Sequence, residues 1–471
     1  MATESKLVAS NTTSFGQAVA VSGDYAIVGG RQPSSTSLVS PGQAHIFVFD
    51  GTTWTVQATL KLPTPPDQGD RFGEAVAVEG DTALVGAANE PPTLAGRVHV
   101  YRRSGSVWSE EAVLAPDDGV FLGSFGASVA LSGDWVIVGS DQGAYAFQRT
   151  GTTWSQHSKL SGTNSPSGFF VALSGSTAVI NASQNHVLVF ERAGNGWQQQ
   201  ATLASSEPGG GGTFGGALSI SGDYIIVGDI SAKQTGSDHS GAAYIFERSG
   251  SSWVQMAKLE SDPPSSKNNF GRSVAISGDY AIVGDDSDAD VAPGSGAVYV
   301  YRRKGAGWLQ LEKIVASDAA IFDWFGNPVA IDGFGFSPRA ISAAQGHNYS
   351  GAAYVLSAFS GAGGAPIDPN RWILVAKILF GLVAGGGGVI WLPGTGPVPV
   401  DPEPFKTLSQ MSRRQRDLLL GLAVNELASL VADAAARTEL QTAAIKLTQR
   451  GAGRLQTGAA VVDVPARRQR E

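Results

Sequence analysis

The sequence predicts an all-β fold, a seven-bladed β-propeller with a C-terminal Pro-rich linker and an α-helical appendage. The main observation is a phrase that occurs seven times, each time followed by the same two further strand-like phrases. Five clear copies are FGQAVAVSGDYAIVGG from Phe15, FGEAVAVEGDTALVGA from Phe72, FGASVALSGDWVIVGS from Phe125, FGGALSISGDYIIVGD from Phe214 and FGRSVAISGDYAIVGD from Phe270. Two more divergent copies begin at Ser167 and Phe325.

Each copy predicts two short strands joined by a tight turn. The residues before and after SGD are rich in Val, Ile and Ala and follow the two-residue period of a strand. In the copy from Phe270, Gly278 and Asp279 form the turn, and Gly278 supplies the positive φ that a two-residue hairpin turn needs. The phrase therefore predicts the two inner strands of a blade.

Two further phrases predict the outer strands. An aromatic phrase such as AHIFVFD or AVYVYRR follows each copy after a variable gap. A last phrase begins at Trp54, Trp108, Trp154, Trp197, Trp253, Trp308 and Trp372. Because one four-stranded sheet cannot bury both of its faces, we expect seven such sheets to stack radially. This predicts a propeller over residues 1–379, a Gly/Pro-rich closing segment and linker over 380–404, and a helical appendage with a basic tail over 405–471.

Composition and motifs exclude several classes of function. The chain has no Cys, which removes disulfides, thiol nucleophiles and cysteine-bound metals, and its net charge of −8 argues against nucleic-acid binding. The sequence contains no nucleophile elbow, phosphate-binding loop or zinc-protease helix, so we do not expect an enzyme. His45 and His186 are assigned to the same repeat position and His99 to an aromatic one, which indicates packing roles.

The phrase FG…VA.SGD…VG, with the aromatic strand and W…AKL after it, resembles the FG-GAP repeat of integrin α-chain propellers in its compact bacterial form. The resemblance covers residues 14–379 and implies a β-propeller used for protein binding, cell adhesion or scaffolding. It favours an extracellular or surface location, although the opening MATESKLVAS lacks the pattern of a signal peptide. Integrin-type repeats often carry a calcium loop between the first two strands. SGD is too short to wrap around Ca²⁺, so that property is not carried over.

The loops predict which end of the propeller is functional. Turns between the first and second and between the third and fourth strands are short, as in SGD or RSGS, and define the turn face. Loops between the second and third strands, and the crossings between blades, are long and dissimilar, and define the loop-rich face. Binding residues concentrate on such loops, and Asp and Glu outnumber Lys and Arg in them. We therefore expect a protein or a glycan to bind an acidic loop-rich face.

One loop has the spacing of a cation site. DDSDAD, residues 285–290, places Asp286, Asp288 and Asp290 at alternating positions, and we consider a Ca²⁺ site there. The loop lacks the Gly and the terminal Glu of an EF-hand, so a solvated turn is the alternative. No other cofactor is expected.

The C-terminal region permits two interpretations at each of two places. The apolar stretch 372–392 has the length of a membrane span. Lys377 and four consecutive Gly argue against a membrane helix and favour a fourth strand at Trp372–Ile378 followed by a closing segment. A membrane span is therefore not expected. A predicted helix over 413–450 carries an apolar stripe. This helix either packs on the propeller or serves for docking or self-association.

These observations predict a non-enzymatic binding or adhesion module that presents its loop-rich face and attaches to a partner or assembly through its C-terminal helix. Two alternatives stay open. A carbohydrate-binding lectin would use the repeated Trp and Tyr as stacking surfaces. A structural subunit of a larger particle or of a secretion apparatus would use the helix for assembly.

Overall fold

The computed structural model describes residues 3–9, 15–30, 42–62, 70–90, 95–118, 123–161, 168–183, 185–194, 196–207, 213–234, 240–262, 269–332, 338–346, 351–357, 388–392 and 396–400. The chain divides into two compact units, Met1–Gly361 and Ala362–Glu471. The first unit contains seven four-stranded antiparallel sheets, which confirms the predicted seven-bladed propeller. In each sheet one strand lines the central axis and the others follow outward.

The first six blades each use four consecutive strands, numbered from the inside outward. The first three blades are β2 (Phe15–Ser22), β3 (Tyr25–Gly30), β4 (Gln43–Phe49) and β5 (Trp54–Leu60); β6 (Phe72–Glu79), β7 (Thr82–Ala87), β8 (Arg97–Ser104) and β9 (Val107–Leu114); and β10 (Ser128–Ser132), β11 (Trp135–Ser140), β12 (Gly143–Thr150) and β13 (Thr153–Leu160). The next three are β14 (Val171–Ser174), β15 (Thr177–Ala182), β16 (His186–Ala193) and β17 (Gly196–Leu203); β18 (Ala217–Ser221), β19 (Tyr224–Asp229), β20 (Ala242–Ser249) and β21 (Ser252–Leu259); and β22 (Ser273–Ser277), β23 (Tyr280–Asp285), β24 (Ala297–Lys304) and β25 (Gly307–Ile314).

The seventh blade corrects the sequence prediction. Its inner strands are β26 (Val329–Asp332), β27 (Arg339–Ala344) and β28 (Ala352–Ser357), but its outer strand is β1 (Thr3–Leu7) from the N-terminus. The sequence analysis placed Trp372–Ile378 at this edge. The edge is already paired, since β1 runs antiparallel to β28 with Leu7 opposite Ala353, and Leu7 is buried. Residues 372–378 themselves lie outside the described residues.

The second unit is described only in part. β29 (Gly388–Leu392) pairs antiparallel with β30 (Gly396–Val400), within the predicted closing segment and linker. The predicted helix over 413–450 lies outside the described residues. Across the part of the chain that the structure describes, no helix is long and apolar enough to span a membrane.

Hydrogen bonds around the axis connect several pairs of neighbouring blades. Ser132, the last residue of β10, accepts a bond from the turn amide of Gly175 in the next blade at 3.0 Å. Ser174 and Ser221 do the same for the following two blades, at 3.1 Å each. Asp332 of the seventh blade accepts a bond from the Gly23 amide of the first blade at 2.6 Å, which closes the circle. These side chains line a central cavity of about 560 Å³.

Glycine allows the backbones of neighbouring blades to touch. A Cβ at Gly228 would overlap the carbonyl oxygen of Gly271 in the next blade. Gly271 belongs to the Phe-Gly pair and has a φ of 91°, which favours glycine. The same contact recurs at Gly29, Gly86 and Gly284. The Val-Gly and Phe-Gly ends of the repeated phrase are therefore two halves of one contact between blades.

We expect Leu7→Ala to destabilise the propeller by about 2–4 kcal/mol, because it removes a buried side chain from the strand that closes the ring. Val8→Ala is the matched control, since Val8 is 59% exposed and Leu7 only 2%. Urea unfolding of both variants measures the difference. Equal free energies of unfolding for the two variants would contradict the role given to β1.

Candidate functional site

The turn face is occupied by repeated structural contacts. The Asp of SGD contacts an Arg at the end of the third strand of its own blade in two ways. In the fifth blade, the Asp223 carboxylate lies 3.2 Å from Nε of Arg248. The Asp223 carbonyl also accepts the backbone N–H of Arg248, at 2.9 Å. Equivalent ion pairs join Asp81 to Arg103, Asp134 to Arg149 and Asp279 to Arg303. The repeated Asp is therefore part of a fixed turn.

The repeated Trp side chains pack between blades. The ring of Trp108 meets Tyr25 of the preceding blade at a centroid distance of 6.1 Å, and Arg103 lies 4.5 Å from the centre of the Tyr25 ring. Trp197 meets Trp135 in the same way at 5.6 Å, and Trp308 meets Tyr224 at 6.3 Å. These Trp rings use part of their faces in packing, so they are not free stacking surfaces.

On the loop-rich face, lysines from the outer strands hold the loops. In the third blade, the Lys159 ammonium and the Tyr145 hydroxyl both donate to Asp118 Oδ2, at 2.7 and 2.8 Å. The seventh blade repeats this arrangement with Lys6, Tyr354 and Asp318. In the fifth blade, Lys258 donates to Glu207 at 2.6 Å. Each of these carboxylates follows the outer strand of the preceding blade, so each cluster also joins two blades.

The positions of these lysines on the loop-rich face were not predicted from the sequence. Only charges within loops were counted there, whereas Lys159, Lys258 and Lys313 belong to the AKL-type ends of the outer strands and reach the same face. The signal for Lys6 was present in the sequence, because SKL at 5–7 repeats SKL at 158–160. The loop-rich face is therefore acidic, but less so than its loops alone indicate.

Two histidines occupy one repeat position and differ in their pKa. His45 pairs with Val28 and His99 with Val85, so these two share the position, and His186 is two residues earlier in the repeat. The assignment of His45 and His186 to one position was wrong because the strand register matches Phe190 with Phe47 and not with Phe49. Burial lowers the pKa of His45 to about 4. Burial opposes protonation of His99 as well, but its bonds to Glu90 (2.6 Å) and Glu110 (3.0 Å) outweigh this and raise its pKa.

The predicted calcium residues lie in one loop but point to different partners. Asp288 is fully buried and accepts bonds from the Lys313 ammonium at 2.7 Å and the Tyr299 hydroxyl at 3.0 Å. Asp290 also accepts from Lys313, at 2.5 Å, whereas Asp286 accepts from the amides of Asn269 (2.9 Å) and Asn327 (3.0 Å). Within the described ranges, no group of three or more Asp, Glu or His is arranged to hold a metal.

Asp285 is a buried carboxyl with one satisfied oxygen. Its Oδ1 accepts bonds from the Asn269 and Ser287 amides at 3.0 and 3.2 Å. Its Oδ2 is buried with no hydrogen-bond partner among the described residues. Burial, followed by the negative charge of Asp288, raises the pKa of Asp285 to about 7. Around neutral pH this group therefore exchanges a proton.

Four exposed large apolar side chains lie together in the described part of the loop-rich face. Ile321, Phe322 and Trp324 lie in the crossing from the sixth to the seventh blade, and Val291 lies in the neighbouring loop of the sixth blade. We call these four residues the apolar patch. The sequence analysis did not single out this segment, because its copy of the repeat is divergent.

Calcium binding at Asp286, Asp288 and Asp290 stays a prediction, and a bound cation has to replace the Lys313 ammonium. We expect Lys313→Met to lower the free energy of unfolding by about 3 kcal/mol, because it leaves the buried Asp288 carboxylate without its cation. Added CaCl₂ should then raise the melting temperature of the variant more than that of the wild type. Lys304→Met removes an exposed Lys at the end of β24 and is the control. An equal calcium response in all three proteins would contradict a latent cation site.

We expect Asp285→Asn to gain stability relative to the wild type as the pH rises. The folded-state pKa lies above the usual unfolded value, so the stability that Asp285 contributes is present below about pH 4 and is lost as the pH rises toward 7. The difference in unfolding free energy should grow by about 1–3 kcal/mol between pH 5 and 7.5. Asp229→Asn, at the same position of the fifth blade with an equivalent Ser231 amide bond, controls for the altered turn. Parallel pH curves for the two variants would count against this assignment.

Comparison with known proteins identifies the repeat. A model of the FG-GAP repeat matches residues 54–101, 108–151, 197–246, 253–301 and 308–356, which together cover more than half of the chain. Each match runs from the outer strand of one blade to the third strand of the next. A search of curated proteins finds no relative that matches the chain. On the strength of the repeat and of the seven blades, the chain belongs to the FG-GAP repeat family.

Proposed function

We propose that this protein is a non-enzymatic binding or adhesion module whose ligand contacts the loop-rich face. The observation that carries the proposal is the contrast between the two ends. The turn face is built from nearly identical turns with repeated Asp–Arg pairs. The loop-rich face differs from blade to blade and carries the apolar patch. A surface that varies around a constant frame is where specificity develops in propellers.

Side-chain contacts hold the described parts of the loop-rich face in place. The clusters around Asp118 and Asp318 each join a loop to the outer strand and to a buried Tyr. Burial by itself would lower the pKa of Lys159 and Lys313. The neighbouring carboxylates have the larger effect and raise the pKa of both lysines, so both stay charged. Loops held in this way lose little conformational entropy when a ligand binds.

The two alternatives make different demands. A lectin needs stacking surfaces, and the repeated Trp rings pack against neighbouring blades, so the exposed aromatic residues of the apolar patch are the better support for it. A structural subunit needs an assembly element, for which the proposal relies on the predicted helix over 413–450. The binding module is favoured because the loop-rich face supports it directly.

The absence of Cys makes the test direct. A single introduced Cys is the only thiol, so Ser106→Cys attaches the protein to a sensor through the turn face and Asp141→Cys attaches it through the loop-rich face. Both positions are exposed. A phage-displayed library of 12-residue peptides and a panel of soluble oligosaccharides serve as probes. We expect binding to protein held by Ser106→Cys and at least tenfold less to protein held by Asp141→Cys. Equal binding in the two orientations, or none in either, contradicts the proposal.

A further inference from the structure

The apolar patch differs from the other exposed apolar side chains of the described residues. The others are spread over six blades, and the two that share a strand lie at opposite ends of β9: Val8, Val56, Val107, Val113, Phe170, Val254 and Leu309. In the patch, Ile321 is 60% exposed, Phe322 58%, Trp324 45% and Val291 53%. Single exposed side chains are ordinary, whereas a cluster that includes Trp and Phe marks an interaction site.

The segment that carries the patch is fixed by hydrogen bonds on two sides. The amides of Phe322 and Trp324 donate to the carbonyls of Pro293 and Gly294 in the sixth blade, at 2.9 and 3.0 Å. The buried Asp323 accepts the Ala320 amide at 2.7 Å, and its carbonyl accepts the Gly346 amide of the seventh blade at 3.0 Å. The Phe322 ring lies against Gly294, where a Cβ would be 2.9 Å from Cδ1. The aromatic side chains are therefore presented by a rigid backbone.

The fold does not explain why Trp stands at position 324. This residue precedes the Phe of the Phe-Gly pair and has a φ of 57°. The equivalent residues of the second and third blades are Arg71 and Ser124, with φ values of 58° and 48°. Three unrelated side chains therefore satisfy the same left-handed backbone, which costs about 1 kcal/mol for a residue other than Gly. The backbone at this position therefore does not require Trp.

The charge around the patch is negative. Asp290 precedes Val291, and its side chain is 66% exposed. The Asp318 side chain is 42% exposed, and the lysines that pair with these two carboxylates are less exposed, Lys313 at 19% and Lys6 at 31%. A negative border around an apolar centre favours a partner that combines an apolar group with positive charge.

We propose that the apolar patch is the hot spot of a protein-binding site whose partner presents an apolar side chain flanked by Lys or Arg. The inference rests on the proposed function and gives it a position and a chemistry. The apolar side chain of the partner packs on Phe322 and Ile321, and its cation lies over the Trp324 ring or beside Asp290. Desolvation of a rigid Trp supplies affinity, and the acidic border supplies specificity and orientation.

The test selects ligands against the patch itself. Protein with an unchanged patch, attached through Ser106→Cys, is panned with the 12-residue peptide library. The same protein carrying Trp324→Arg is used for counter-selection. Arg71 shows that the fold accepts Arg at this backbone position. We expect enriched peptides that place an apolar residue next to Lys or Arg. Their affinity, measured by fluorescence anisotropy, should fall about tenfold in Trp324→Ser and should weaken as NaCl is raised.

Leu309→Ser is the matched control, because Leu309 is 53% exposed but lies on β25 outside the patch. Its peptide affinity should equal that of the wild type, and melting curves of all variants confirm folding. The inference is overturned if no basic-apolar peptide is enriched, if Trp324→Ser binds like the wild type, or if only oligosaccharides bind the patch. The proposed function still stands if oligosaccharides bind the patch, or if the enriched peptides bind elsewhere on the loop-rich face. If nothing binds that face, both fail.

Discussion

Neighbouring blades meet backbone to backbone at glycine, and the packing of seven sheets around one axis depends on this close approach. At Gly228 and Gly284 no side chain fits, because the carbonyl of the next blade occupies the space that a Cβ would need. Once the blades are this close, the Phe of each Phe-Gly pair packs against the aromatic third strand, as Phe270 does against Tyr299 at 5.1 Å. The Ser and Asp side chains around the axis can then reach the turn of the next blade. The repeated phrase is conserved within the chain because each blade makes this contact.

Each sequence repeat is shifted by one strand relative to the blades, and this shift links neighbouring blades. Each family match begins with the outer strand of one blade and continues into the inner strands of the next, so every repeat belongs to two sheets. The lysines at the ends of the outer strands extend this connection to the loop-rich face, where Lys159 binds Asp118 from the crossing between blades. Where the structure describes that face, the crossings are held by contacts with the next blade and differ from blade to blade. The apolar patch is one such difference, held between the sixth and seventh blades.

Sequence alone predicted the number of blades, the strand order within the first six and the turn face, because these follow from local periodicity and from Gly in the turns. It did not predict the closure, since pairing β1 with β28 joins residues about 345 positions apart in the sequence, and Trp372 offered a local alternative. It also missed the charge balance of the loop-rich face, because the reach of Lys313 to Asp288 depends on strand length and packing. The calcium prediction identified Asp286, Asp288 and Asp290 by spacing. Spacing along a loop does not fix where side chains point, and the three are held by different partners.

Closure by the N-terminal strand sets an order of events during synthesis. β1 leaves the ribosome before the other strands of the propeller, but its partner β28 begins about 345 residues later, a delay on the order of 20 to 70 seconds at ordinary rates of translation. Throughout that interval β1 has no sheet to join, and the inner strands of the first blade lack their seventh-blade neighbour. Nascent chains must therefore be kept from pairing with one another at these open edges, a task for chaperones or for the pace of elongation.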